Sequence, residues 1–157
     1  MDMRTIRKSS RRNGMAAVEM ALIIPIMLMV VMAVIEGGNA FYSWLTVQKA
    51  AQIGARFAAT GRGDEEGTRL AQIIAATEAG LSTLNQGSIE VSVRSWPDLS
   101  AAGDGIDNDP GGPCQLAEVA VLYRYEPFTP LVASLLPETI PLHGYDRKIN
   151  EPWKPCD

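Results

Sequence analysis

The sequence is poor in the residues that site chemistry requires. It has a single histidine, His143, and two cysteines, Cys114 and Cys156, in 157 residues. A lone histidine in a strand-like stretch is ordinarily structural. Two cysteines supply only half of a four-ligand zinc site, so neither a catalytic histidine nor a zinc centre is expected. No nucleophile motif, glycine-rich phosphate loop or metal triad occurs, so the chain is not expected to be an enzyme or to take a small-molecule substrate. Tyr42, Trp44, Trp96, Tyr123 and Trp153 are few and scattered, which suits core or interface positions better than a ligand cage. A second long apolar run is missing, which excludes several membrane spans, and there is no internal repeat.

What the chain has instead is one apolar run of membrane length. Over residues 15–35 a single side chain, Glu19, is charged. These 21 residues span roughly 31 Å of helix at about 1.5 Å per residue, enough to cross a hydrocarbon core. Arg4, Arg7, Lys8, Arg11 and Arg12 precede the run against Asp2, and no Lys or Arg follows it before Lys49. The positive-inside rule then sets the N-terminus in the cytoplasm and everything after Ile35 outside. Beyond Gly14 there are 17 acidic against 9 basic residues. An acidic exported domain argues against nucleic acid as a partner. A carboxylate in such a run is expensive, on the order of 2.5–3.5 kcal/mol at a helix centre and less near an end, so Glu19 calls for a reason. Two plainer alternatives stand beside it. A secretory signal peptide has a shorter apolar stretch, about 7–15 residues, although Gly38 and Ala40 could mimic its cleavage site. A signal anchor that is never processed is the other.

The chain divides into a basic leader (1–14), a transmembrane helix (15–36) and an exported head (37–157), helical over 37–86 and strand-rich over 87–157. The first helix is expected to start near Asn13 and to pass through Pro25, which removes a backbone hydrogen bond and should kink or loosen it. It should then continue past Gly37 and Gly38. Phe41, Tyr42 and Trp44 fall where an interfacial aromatic belt belongs. Ala50, Ala51, Gly54, Ala55 and Ala58 permit close helix contacts. After a break at 60–64, a second helix is predicted over about 65–84, with Leu70, Ile73, Ile74, Thr77 and Leu81 at helical spacing. Ile89, Val91 and Val93 alternate with polar neighbours as in a half-buried strand. Leu116, Val119, Val121 and Tyr123 mark a second strand over 115–126, and 139–149 reads as a third. Residues 97–113 read as loop, and 128–136 as a short helix between Pro127 and Pro137. The expected class is α+β, with a small antiparallel sheet of about three strands against the helices.

Three blocks carry a family resemblance. Gly14-Met15-Ala16-Ala17-Val18-Glu19-Met20-Ala21-Leu22-Ile23-Ile24-Pro25 resembles the start of TadE-like proteins, pilin-like minor components of bacterial tight-adherence (Tad, or Flp) pilus systems. There a Gly-Xaa-Ala-Ala-Val-Glu-Phe-Ala-Leu stretch leads into an apolar, proline-containing helix. Ile35-Glu36-Gly37-Gly38-Asn39-Ala40-Phe41-Tyr42 is similar to the family's Glu-Phe-Gly-Arg-Ala-Tyr block. Gln48-Lys49-Ala50-Ala51-Gln52-Ile53-Gly54-Ala55-Arg56-Phe57-Ala58-Ala59 is similar to its Asn-Ala-Ala-Arg-Glu-Gly-Ala-Arg-Tyr-Ala block. Met20 replaces the usual aromatic residue, Gly38 a common arginine and Ile53 a common glutamate.

The resemblance implies a pilin-like fold and a role in assembling a type IVb-like pilus for surface adhesion. It implies that prepilin peptidase, an aspartic protease of the inner membrane, cuts after Gly14. Met15 would become the new N-terminus and Glu19 the fifth residue, available to pair with a neighbouring subunit's α-amino group. Glycine suits the cleavage position because its backbone can lie extended in a protease cleft. The implied partners are the inner membrane, prepilin peptidase, other Tad pilins and minor pilins, and the inner-membrane platform. Major Tad pilins are much shorter, so a minor or accessory part is expected. The competing reading is an unprocessed bitopic protein whose acidic head binds a partner.

Two further features concern the head. Asp104-Gly105-Ile106-Asp107-Asn108-Asp109 resembles the Asp-Gly-Xaa-Asp-Asn-Asp runs of exported calcium-binding repeats, so Asp104, Asp107 and Asp109 are candidate calcium ligands. The run is a single copy without a suitably placed glutamate, and a solvated acidic turn is the alternative. In an oxidising periplasm Cys114 and Cys156 are expected to form one disulfide joining the loop before the second strand to the C-terminal tail, with free thiols or pairing between chains as the other possibilities.

Overall fold

The apolar run and the sequence after it form one continuous helix. In the computed structural model, which describes residues 9–156, α1 extends over Ser9–Ala59, 51 residues, with Pro25 inside it. The helix is thus formed ahead of Asn13, and of the basic leader (1–14) residues 1–8 lie outside the described part. Pro25 removes one amide from the ladder, yet helical structure persists on both sides of it. At about 1.5 Å per residue α1 is roughly 75 Å long.

The two halves of α1 differ in what covers them. Over 14–35 every side chain is exposed except Met32, which is half-buried. From Glu36 a buried stripe begins: Glu36, Ser43, Val47, Ala50, Ala51, Gly54, Ala55 and Ala58, with half-buried Asn39 and Ala40 filling the first gap. Steps of three and four residues keep these positions on one helix face. Phe41, Trp44 and Leu45 point away from it and are exposed.

The head folds onto that stripe. α2 is Arg69–Gly80, β1 Gly87–Trp96, β2 Ile106–Asp107, β3 Leu116–Tyr125, α3 Pro130–Ala133 and β4 Ile140–Ile149. The four strands form one antiparallel sheet in the order β2-β1-β3-β4. In register, Val91 lies opposite Val121 and Val121 opposite Gly144, while Ile89, Tyr123 and Leu142 form the next inward row. The core fills the space between this face, the α1 stripe and α2. One cluster gathers Val47, Ala50, Ala51, Leu81, Val121, Tyr123 and Tyr125, and a second Ala55, Ala58, Ile73, Val93, Ala117 and Val119. The layers meet closely because the facing residues are small. A Cβ added at Gly144 would lie 2.8 Å from the Val47 carbonyl oxygen, so β4 reaches the α1 backbone only as glycine.

The α+β class stands as expected, with differences that have local causes. α2 starts at Arg69, not near 65, because Gly67 takes φ 66°, which no helix accommodates. It ends at Gly80, and 81–84 form a turn. The stretch 97–113 is not all loop: β2 within it pairs with Arg94 and Ser95, making a fourth strand of two residues. Because β2 is so short, most of β1 is a sheet edge. Accordingly only Val93 of its alternating apolar residues is fully buried, with Val91 half-buried and Ile89 exposed. On β3 the inward set is Ala117, Val119, Val121, Tyr123 and Tyr125, and Leu116 belongs to the opposite face.

Candidate functional site

The residues read as a processing and assembly signal lie together on exposed helix. Gly14, Met15 and Glu19 all belong to α1 and are exposed, and Met15 and Glu19, four apart, share a face. An added Cβ at Gly14 would meet nothing within 4 Å, so packing does not require glycine there. Glycine instead weakens the helix, by about 1 kcal/mol relative to alanine. The chain is therefore easier to unwind at this point than at its neighbours. Chemically, the arrangement can present a carboxylate sideways from an apolar rod, to whatever packs against it.

The second carboxylate of this region behaves in the opposite way. Glu36 is 3% exposed although it stands directly after the run. Its Oε1 accepts from the Tyr125 hydroxyl at 2.5 Å, and its Oε2 accepts from the Thr129 amide at 2.9 Å and the Thr129 hydroxyl at 2.6 Å. The Asn39 side-chain amide donates to the same Tyr125 oxygen at 3.0 Å and to Gln86 Oε1 at 3.3 Å. Tyr125 therefore bridges Glu36 and Asn39 across the Gly37-Gly38 pair. Burial, then the hydrogen bond to the Glu36 carboxylate, push the Tyr125 phenol up to about 12. In the sequence Glu36 closes the transmembrane stretch (15–36), and nothing there points to this clamp. The available signal was a charged residue in the second resemblance block, with nothing to say that β3 would return to it.

At the far end of the head the organising residue is Arg69, which is 3% exposed. Its guanidinium donates to the carbonyls of Ala58 at 2.8 Å and Pro110 at 3.2 Å, and also to that of Gly111. It lies 4.4 Å from the Trp153 ring centre and 4.0 Å from Asp64. Desolvation lowers its pKa, with Asp64 and Asp109 opposing. Lys154 donates to Asp64 at 2.6 Å, and this hydrogen bond chiefly holds the Asp64 carboxyl below the usual range. The C-terminal tail is thus laid over the end of α1, where the Glu151 amide caps the Ala59 carbonyl at 2.8 Å. Cys114 and Cys156 form the expected disulfide here, with Cα atoms 5.7 Å apart. Closing a loop with a sequence separation of 42 contributes on the order of 4 kcal/mol in the chain-entropy model.

The acidic loop is held by these same groups. Asp107 pairs with Arg94, Asp109 accepts from the Ser95 hydroxyl at 2.5 Å, and Asp104 is exposed. The structure does not bring the three together. Among the described residues no group of three or more His, Cys, Asp or Glu is placed to hold a metal ion. The loop's carbonyls meet a cation of the protein's own, the Arg69 guanidinium. His143 is exposed on β4, with its carbonyl accepting from Gln48 at 2.9 Å.

Residues 14–56 match the model of the TadE family, described as TadE-like protein. Comparison with curated proteins gave no match, and neither did comparison with solved structures. The matched stretch starts at Gly14 and takes in Glu19, the exposed run, the Glu36–Asn39 half of the clamp and the stripe as far as Ala55. A helix of Gly14–Ala59 is the one among the described residues long and apolar enough to cross a membrane, and together with the family it supports a membrane-anchored protein. Over this segment of α1, and not over the head folded on it, the chain is similar to TadE-like proteins, a likeness that points to a Tad pilus system.

Proposed function

We propose that the protein is a pilin-like minor subunit or assembly factor of a Tad (Flp, type IVb-like) pilus, supporting pilus biogenesis and surface adhesion. The observation that carries this reading is the exposed apolar helix with Gly14 and Glu19 on it, inside the segment that matches the family. α1 spans the inner membrane with its basic end in the cytoplasm and the head in the periplasm, in keeping with the charge asymmetry of its flanks and with the Cys114–Cys156 disulfide. Prepilin peptidase cuts after Gly14. Glu19 then meets the α-amino group of an adjacent pilin or minor pilin in the apolar layer, where pairing offsets the desolvation of both charges. The inner-membrane platform is the further partner. The role is one of assembly, without a reaction, a cofactor or a small-molecule substrate of its own.

Intact mass and N-terminal sequencing of the mature protein from its native membrane test this. The expected species begins at Met15, and Gly14→Ala should leave a membrane-bound chain that keeps the leader. A wild-type protein still beginning at Met1 would overturn processing and return the reading to an unprocessed bitopic anchor with a partner-binding head. Recovery in sheared pili would assign it to the filament, and its absence there to assembly at the inner membrane.

A further inference from the structure

We infer that the β3–β4 connection, residues 126–139, is a second membrane contact, lying in the headgroup region of the outer leaflet beside α1. The inference rests on the reading that residues 15–35 span the bilayer. Over 127–137 the chain carries no charge, although the head around it is strongly acidic and Glu126 and Glu138 flank the stretch. Phe128 is 46%, Leu135 74% and Leu136 38% exposed, with little of the protein to cover them.

The depth of this segment follows from its attachment to α1. Thr129 is bonded twice to Glu36, the first residue after the run. α3 packs along α1. Met32, four residues earlier on the Glu36 face, is the one half-buried side chain of the run. One helical turn is about 5.4 Å, so partial burial on the Glu36 face extends about one turn into the apolar run. If that run is in lipid, Phe128, Leu135 and Leu136 cannot stay clear of the bilayer surface. On α1 the exposed pair Phe41 and Trp44, with ring centres 5.7 Å apart, stands roughly 8–12 Å further out than Glu36 at about 1.5 Å per residue, at the outer side of an interfacial belt.

The segment is built for the interface and not for the hydrocarbon. Irregular backbone facing lipid tails would leave polar groups unpaired. Here the α3 turn pairs the amides of Ala133, Leu135 and Leu136 with carbonyls three or four residues back. The Glu36 carboxylate, the costliest group at this depth, is capped by Tyr125 and Thr129. Two attachment points, α1 and this connection, would fix the rotation of the head about the helix.

The test uses the full chain with its disulfide intact, reconstituted in phosphatidylethanolamine–phosphatidylglycerol vesicles. A nitroxide is placed by Leu135→Cys, with Leu22→Cys in the run and Leu99→Cys on the far loop as references. All three side chains are largely exposed, so the fold is not disturbed. Collision rates with oxygen and with a water-soluble nickel chelate are read by electron paramagnetic resonance. An oxygen-to-nickel ratio at 135 severalfold above that at 99, approaching that at 22, is the expected result. A ratio at 135 equal to that at 99, with 22 lipid-like, overturns the contact and leaves the anchor standing. Spin–spin broadening at 135 with a water-like ratio overturns it in favour of a second copy of the chain. Water-like ratios at both 135 and 22 overturn the membrane-spanning reading itself.

Discussion

The clamp at Glu36 makes a measurable claim about what joins the head to the helix. Glu36→Gln keeps the shape of the side chain but exchanges one acceptor oxygen for a donor. Oε1 faces one donor and Oε2 faces two, so an amide nitrogen at Oε2 opposes the fixed Thr129 N–H, while at Oε1 it forces the Tyr125 hydroxyl to turn its hydrogen away and give up the bond to a carboxylate. Hydrogen bonds to charged groups contribute about 1.5–3 kcal/mol each, and a buried donor left unpaired costs about 1–3 kcal/mol. Neutralising a buried carboxylate recovers part of this through relief of desolvation. The net loss should be about 2–3 kcal/mol. For a protein of this size that lowers the midpoint of thermal unfolding by roughly 5–10 °C.

Circular dichroism of the full chain in detergent micelles measures the shift, with Glu19→Gln as the matched control. Glu19 is exposed and distant from the head, so the same chemical change there should leave the head's midpoint where it was. Tyr125→Phe removes the hydroxyl that joins Glu36 to Asn39. Combined with Glu36→Gln it should be non-additive by about 1–2 kcal/mol, inside the range of about 0.5–3 kcal/mol for residues within one hydrogen-bond network. An unshifted midpoint for Glu36→Gln, or strictly additive losses, would show that apolar packing alone holds the head and that the clamp is incidental.

Replacing both Cys114 and Cys156 by serine should destabilise the head by about 4 kcal/mol, the loop-closure value for this separation, and limited proteolysis should then cut first in the freed tail around 151–156. Gly37→Ala and Gly38→Ala should each stabilise α1 by up to about 1 kcal/mol, read as slower amide exchange, because an added Cβ at either position meets nothing within 4 Å. The folded state holds the Tyr125 proton up to about pH 12 against an ordinary value of 10.0. The stability this contributes is fully present below pH 10 and is lost as pH rises through about 12. Alkaline unfolding should therefore shift in Tyr125→Phe, while a wild-type phenolate that titrates near 10 in the folded protein would count against the burial described.

The run, the topological order and the helix–strand alternation were legible because each is a local pattern. An uninterrupted apolar stretch needs no knowledge of its neighbours, and the disulfide is expected from there being two cysteines on the side of the membrane that the flanking charges assign to the exterior. What stayed hidden depends on which segments meet. Glu36 reads as the first polar residue beyond a membrane helix until β3 brings Tyr125 back to it across 89 residues. Nothing in the sequence singles out Arg69, and only the fold surrounds it with the carbonyls of Ala58, Pro110 and Gly111. The acidic loop was open to two readings, a calcium site and a solvated turn, for the same reason. Its composition suits a divalent cation, but its position puts a guanidinium beside it. Boundaries slipped where a glycine conformation decided the matter, as at Gly67 ahead of α2.

A helix that leaves lipid and enters a folded head is weakest where neither environment supports it, and in α1 that point is Gly37-Gly38. Two adjacent glycines would make a natural swivel if nothing spanned them. Tyr125 does span them, holding Glu36 on one side and Asn39 on the other through a single oxygen. At its other end β3 is tied to the distal part of α1, since the Asn150 amide bonds to the Gln115 carbonyl and the Glu151 amide to that of Ala59. The head therefore grips α1 at both ends of a stretch roughly 35 Å long, at about 1.5 Å per residue. A force applied to the membrane run cannot be absorbed at the glycines without breaking the clamp. For the assembly role proposed above this has a mechanical meaning. Lifting or packing the apolar helix moves the head as one body with it, so its position relative to neighbouring subunits is set by how α1 is held.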